Sequence, residues 1–309
     1  MDALRTLTKI NNLHVEIDWC RLQVPFHLFA DLQEISIVGS NQEHHKGTLE
    51  NLARMVSQST QLNSITIRSE FEFWTGKGLS LHQLFRYYPR DLPPLRLRRL
   101  VLNACQFRLD DITIPHLKYL TSLSLTNLNI KYRSNSVPLQ YSDGVNYDSG
   151  GIQEIWSVLI KADIWLEEIT IDDIFPALLE YLASYSGLRI LNMTSRSHLP
   201  DQKYSDHLAT QFYAKPLANH VQSLRKLDIR AIHEGLWCVD NHNLPLIHQC
   251  VNLKHLGLSI ISSQADLDPV IVSISILSKI LSALIPMGIN RNVSLIWLQR
   301  VCHKLILLI

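Results

Sequence analysis

A short pattern, apolar-x-x-apolar-x-apolar, recurs nine times along the chain. It stands at Ile10/Leu13/Val15, Leu32/Ile35/Ile37, Leu62/Ile65/Ile67, Leu97/Leu100/Leu102 and Leu120/Leu123/Leu125. It continues at Leu166/Ile169/Ile171, Leu188/Leu191/Met193, Leu224/Leu227/Ile229 and Leu253/Leu256/Leu258. The middle positions are 22 to 46 residues apart, so the repeat is irregular in length but constant in form. Two apolar residues spaced by two point to one face of a short strand. The first apolar residue closes the turn that enters it.

Stretches between the strands carry a helical period. Leu49, Leu52, Ala53 and Val56 follow Thr48, a candidate cap. Ile152, Ile155, Trp156, Leu159 and Ile160 form a second such face. Asp173 is a candidate cap for Leu178, Leu179 and Leu182, with Pro176 in the first turn and Gly187 beyond the end. Leu208, Phe212 and Leu217 mark a third segment, with Pro216 expected to kink or split it. Strand–helix alternation at this period predicts an α/β leucine-rich-repeat solenoid, a curved array of parallel strands with helices on its convex side. The expected division is a repeat array over 1–268, with a polar insertion at 131–150, and an apolar cap or degenerate repeat at 269–309.

The residues HVEIDW (14–19), LQEISIVGS (32–40), LARMVSQSTQLNSITI (52–67), IWSVLIKADIWLEEIT (155–170), ALLEYLASYSGLRILNM (177–193), HVQSLRKLDI (220–229), EGLWCVDNHNL (234–244) and HQCVNLKHLGLSI (248–260) go further. Over roughly residues 10–268 they resemble the repeat region of fungal (basidiomycete) F-box/leucine-rich-repeat proteins. The resemblance implies a protein-interaction scaffold, the substrate-recognition part of a Skp–cullin–F-box ubiquitin ligase. Such proteins carry an F-box that docks the Skp adaptor, and no L-P-x-E-[IL] start is visible here. A Skp partner is therefore expected only if an F-box lies upstream.

Composition narrows the classes. The chain is 46% hydrophobic and 18% charged, too apolar for a disordered chain. Its net charge of +1 offers no basis for nucleic-acid binding by counterion release. Five widely spaced cysteines without a C-x-x-C, and no basic-then-apolar leader, fit a reducing, intracellular location. Residues 270–289 are long and apolar enough to suggest a membrane span, and a membrane-tethered scaffold is one alternative. Lys279 near the middle and Pro286 near the end argue against it, and Leu277, Ile280, Leu281, Leu284 and Ile285 fit a capping helix instead.

No enzyme is expected, and neither a metal nor another cofactor. Cys238, His242, His248 and Cys250 have the right chemistry for zinc but the wrong spacing. Cys250 fits the tight turn before a repeat strand, and an enzyme with a site near His242 and His248 is the remotest alternative. Asp110–Asp111 and Asp172–Asp173 are neighbours that point apart, which does not suit acid–base work. Thr75–Gly78 lacks the first glycine and the final Ser/Thr of a phosphate loop. Arg96, Arg98 and Arg99 alternate with leucines, as at a solvated strand edge. Trp156, Trp165 and Trp237 are read as buried with their N–H groups satisfied, or as interface anchors if exposed.

The expected binding surface is the concave face. His14, Ser36, Thr66, Val101, Ser124, Thr170, Asn192, Asp228 and Gly257 each stand between the last two apolar positions of their repeat. In-register stacking would align them in one small, polar row. The flanks add Arg68, Arg99, Lys226 and Arg230 as candidate partner-binding residues, with Glu16, Glu34, Glu168 and Asp172 of opposite sign.

Overall fold

The computed structural model describes residues 10–17, 29, 32–39, 46–69, 81–104, 109–127, 150–194, 202–231, 234–259, 294–298 and 304–308. The chain forms two compact units, 1–166 and 167–309.

The first unit holds five strands in chain order: β1 (Asn12–Ile17), β2 (Glu34–Gly39), β3 (Ser64–Ser69), β4 (Arg99–Asn103) and β5 (Ser122–Thr126). Each pairs in parallel with the next. Between them lie α1 (Lys46–Gln58), α2 (Leu81–Phe85) and a 3₁₀ turn at Ile114–Leu117, and α3 (Gly150–Lys161) follows β5. The second unit repeats the plan with β6 (Glu168–Ile171), α4 (Pro176–Ala183), β7 (Ile190–Thr194), α5 (Gln202–Ala214), a 3₁₀ turn at Ala218–His220, β8 (Lys226–Arg230), α6 (Leu244–His248) and β9 (His255–Ser259). Its four strands are likewise parallel and in chain order. Parallel strands need long crossovers, and the inter-strand gaps supply them. This is the α/β repeat architecture that the strand pattern predicts.

Burial explains the pattern. Ile35, Ile65, Leu100, Leu123, Ile169, Leu191, Leu227 and Leu256 occupy the middle apolar position, and all are buried. The residues on either side of them face the other way. From the helices, Leu52, Val56, Leu159, Leu178, Leu182, Leu208 and Phe212 are buried as well. The described strands and helices thus each contribute an apolar side to the core, which neither could bury alone.

Two buried histidines tie successive repeats together. The Leu95 N–H donates to Nδ1 of His116 at 3.0 Å. His116 stacks on Phe85 with centroids 4.5 Å apart and meets Tyr88 edge-on at 4.6 Å. In the second unit the Leu188 N–H donates to Nδ1 of His220 at 3.3 Å, and Nε2–H of His220 donates to the Leu182 carbonyl at 3.0 Å. Both rings therefore work as the neutral imidazole, whose Nδ1 is an acceptor. Burial pushes both down to about 4. Each stands four residues before the first apolar residue of its strand, Leu120 or Leu224.

Several local expectations need correction. Helix α1 starts at Lys46, so Thr48 lies inside it rather than capping it. Helix α4 is entered through Phe175, whose extended backbone (φ −121°, ψ 155°) leads into Pro176, so Asp173 is not the cap. Proline at the first helical position needs no N–H donor, and no side-chain cap is made there. At Pro216 the expectation holds in its second form: helix α5 stops at Ala214 and a 3₁₀ turn follows at Ala218–His220, so the segment is split and not kinked. Gly187 sits at φ +115°, a left-handed conformation suited to glycine. Trp156 and Trp237 are buried, but Nε1 of Trp237 has no acceptor among the described residues.

The C-terminal edge also differs from an all-parallel array. Strand β11 (Lys304–Leu308) pairs antiparallel with β9, and β10 (Ser294–Leu298) pairs antiparallel with β11. The polar insertion at 131–150 and the expected capping helix around 277–285 lie outside the described residues, save Gly150, the first residue of α3. No helix among the described residues is long and apolar enough to cross a membrane.

Candidate functional site

The predicted row forms by register. In the first unit His14 stands opposite Ser36, Ser36 opposite Thr66, Thr66 opposite Val101 and Val101 opposite Ser124. In the second unit Thr170, Asn192, Asp228 and Gly257 are aligned in the same way. Small polar neighbours across parallel strands hydrogen-bond sideways: Asn192 Nδ2 donates to Thr170 Oγ1 at 2.9 Å. Two residues toward the strand exit, Asn103 Nδ2 donates to Thr126 Oγ1 at 2.8 Å.

The two units differ in how open this face is. In the first, His14 is exposed and Ser36, Thr66 and Ser124 are half-buried. In the second, Asp228 and Gly257 are buried, and β9 buries Leu256 through Ser259 without alternation. Continuous burial marks a strand covered on both faces. The row is therefore accessible along the first unit except at Val101, which is buried in the centre of β4, and partly closed over β8 and β9.

Of the flanking cations, Arg99 stands in the register row Glu34–Ser64–Arg99–Ser122, and Arg68 in the row Glu16–Val38–Arg68–Asn103–Thr126. The two lie on neighbouring strands, on opposite sides of the central row. Both are exposed, and neither meets a carboxylate among the described residues. Lys226 is half-buried at the entry of β8. Arg230 is exposed, with its guanidinium 3.6 Å from Asp228 Oδ2, so its charge is partly spent within its own strand. Asp172 is buried and does not act as a surface anion. The structure thus brings Arg68 and Arg99 to one open face and leaves Arg230 in a local ion pair.

The other candidates resolve into structural roles. His242 is exposed, with Nε2 2.9 Å from the Leu236 carbonyl, and its ring meets Tyr213 edge-on. Cys250 is buried in the turn before β9, its thiol near the Leu246 carbonyl, and burial pushes that thiol up to about 12. A thiol so disfavoured as thiolate is a packing group. Among the described residues no three His, Cys, Asp or Glu side chains gather as a metal site. Asp110 accepts from the Ile112 and Thr113 N–H groups and from His82 Nδ1 at 2.5 Å, and its carboxyl group sits below the usual value. Burial pushes it up, but these hydrogen bonds outweigh burial. Asp111 is exposed. Arg96 lies over the exposed Tyr119 ring at 5.6 Å, and Arg98 and Arg99 are exposed between buried leucines. Trp165 is 37% exposed just before β6, which makes it the tryptophan with anchor character. Thr75–Gly78 lies outside the described residues.

Sequence reasoning missed an aromatic–arginine cluster on the helical side of the first unit. The exposed Tyr87 ring has the Arg86 guanidinium 4.5 Å and the Arg54 guanidinium 5.0 Å from its centroid. Its hydroxyl donates to Glu50, which also receives Arg54 at 3.1 Å. No periodicity joins residues 50–54 to 86–87, so only the packing of α1 against α2 shows it. No known protein-family model matches the chain, and no curated protein matches it.

Proposed function

We propose that this chain is a non-enzymatic protein-interaction scaffold that presents the open strand face of its repeats to a protein partner. The observation that carries the reading is the in-register row from His14 to Ser124, mostly small and polar, with Arg68 and Arg99 exposed on either side of its middle. A stacked array offers an extended surface whose backbone is already ordered, so binding costs little further entropy. The sequence resemblance extends this proposal to substrate recognition in a Skp–cullin–F-box ubiquitin ligase, with the Skp adaptor engaged through an F-box upstream. Charges at the rim of such a face steer encounter and discriminate partners more than they add raw affinity.

The test is affinity capture of the full chain in its own cells, comparing Arg99→Glu plus Arg230→Glu with Arg54→Glu plus Lys161→Glu on the helical side. The expected result is a partner whose retention falls about tenfold in the first variant, falls further with salt, and is unchanged in the second. Retention lost only in the helical-side variant would move the interface to the Tyr87 cluster. Co-capture of a Skp adaptor and a cullin supports the ligase role.

A further inference from the structure

In the second unit the residue before each strand is fixed by a backbone ladder. The Arg189 N–H donates to the Glu167 carbonyl at 2.7 Å, Arg225 N–H to the Arg189 carbonyl at 2.8 Å, and Lys254 N–H to the Arg225 carbonyl at 2.7 Å. The next residues use the same carbonyls: Ile190, Lys226 and His255 donate at 3.0, 3.0 and 3.1 Å. The ladder thus places Arg189, Arg225 and Lys254 along one line at the strand entries, with rungs about 4.8 Å apart. Arg189 is held at the first rung by Glu167, 2.9 Å away. Arg225 and Lys254 are exposed and meet no carboxylate among the described residues.

The fold does not ask for these charges. The equivalent ladder in the first unit runs Asn11, Gln33, Asn63, Arg98 and Thr121, with the same backbone bonds and one cation in five. The ladder itself uses only the backbone of this position, which accepts Asn, Gln, Thr or Arg in the first unit. Like charges on neighbouring rungs repel. A row of them is therefore a cost to the folded chain that an anionic partner would offset.

We propose that this strip, Arg189–Arg225–Lys254, is a docking site for an acidic protein segment. The proposal rests on the scaffold reading and assigns the partner's chemistry. Arginine forks match carboxylates bidentately, and a ladder pre-set by backbone bonds loses little freedom on binding. Glu167 and Glu168 lie at the β6 end, so the strip is polar along its length. The segment it fits has consecutive Asp or Glu residues followed by a basic residue over β6. Nucleic acid is disfavoured because three cations flanked by two carboxylates, in a chain of net charge +1, release few counterions.

The experiment is fluorescence anisotropy of the full chain with a labelled peptide of six glutamates and a terminal lysine, at low and physiological salt. The expected result is binding at low salt that weakens about tenfold or more in Arg225→Glu plus Lys254→Glu, and less than twofold in Arg99→Glu plus Arg230→Glu. Both replaced side chains are exposed, so urea midpoints of variant and parent should coincide and show that folding is intact. Three results would overturn the proposal: no binding by the parent, equal binding by the Arg225/Lys254 variant, or displacement by a single-stranded oligonucleotide of equal charge at lower concentration than the unlabelled peptide. If the peptide fails while partner capture still depends on Arg99 and Arg230, the docking strip is wrong and the scaffold reading stands.

Discussion

Replacing Leu256 by alanine is expected to destabilise the chain by about 2–5 kcal/mol, whereas His255→Ala should cost under about 0.5 kcal/mol. Leu256 is 2% exposed in β9, while the neighbouring His255 is half-buried at the strand entry. Removing the leucine side chain leaves a cavity between repeats that stacked strands cannot collapse, because Leu227 opposite it is held by its own register. Urea titrations of the two variants check this directly. Equal midpoints would contradict the burial of Leu256.

Acidification between pH 7 and pH 5 is expected to destabilise the chain by about 2 kcal/mol for each of His116 and His220. Unfolded, each histidine titrates near 6.5; folded, near 4. Across that window the unfolded chain binds more protons, so stability is full above about pH 6.5 and falls as pH drops toward 4. A proton on Nδ1 would also set a donor against the N–H of Leu95 or Leu188. The lowered carboxylate of Asp110 acts in the same direction only below its ordinary value of 3.8, so the window above pH 4.5 isolates the histidines. Glutamine keeps an acceptor and does not titrate. His220→Gln should therefore remove about half of the pH dependence, measured as urea midpoints at pH 7 and pH 5. An unchanged dependence would mean the ring is not buried as the neutral form.

What was legible in the sequence follows from which physics is periodic. Strand positions were legible because burial of Leu, Ile and Met on one strand face repeats at a spacing of two, and the row His14–Ser36–Thr66–Val101–Ser124 followed from it. Helix starts were less so: Phe175 caps by backbone conformation alone, and no residue type announces that. The histidine rungs share a spacing, His four residues before the first apolar residue of a strand, but two instances hardly stand out among 14 histidines. The antiparallel hairpin was hidden because SLIWL and KLILL are short continuous apolar runs, which periodicity does not sort into strand or helix. The basic strip was missed. Lys226 was singled out on its strand, but Arg189, Arg225 and Lys254 sit one residue earlier, and only the entry-turn carbonyls align them. Burial of Asp228 and Gly257 was invisible for a different reason: what covers a strand's second face is tertiary.

The account turns on the repeats stacking in register, and paired cysteines on the open face of β2 and β3 test that most directly. Ser36 and Thr66 stand opposite each other, about 4.8 Å apart as neighbouring parallel strands are, within reach of a disulfide. Arg68 lies two residues further along β3, which places its Cα roughly 8 Å from that of Ser36, beyond disulfide reach. Under mild oxidation, Ser36→Cys plus Thr66→Cys should yield the cross-linked peptide pair by mass spectrometry, and Ser36→Cys plus Arg68→Cys should not. Cross-linking of the second pair but not the first would show a shifted register, and with it the loss of the aligned row on which the binding face depends.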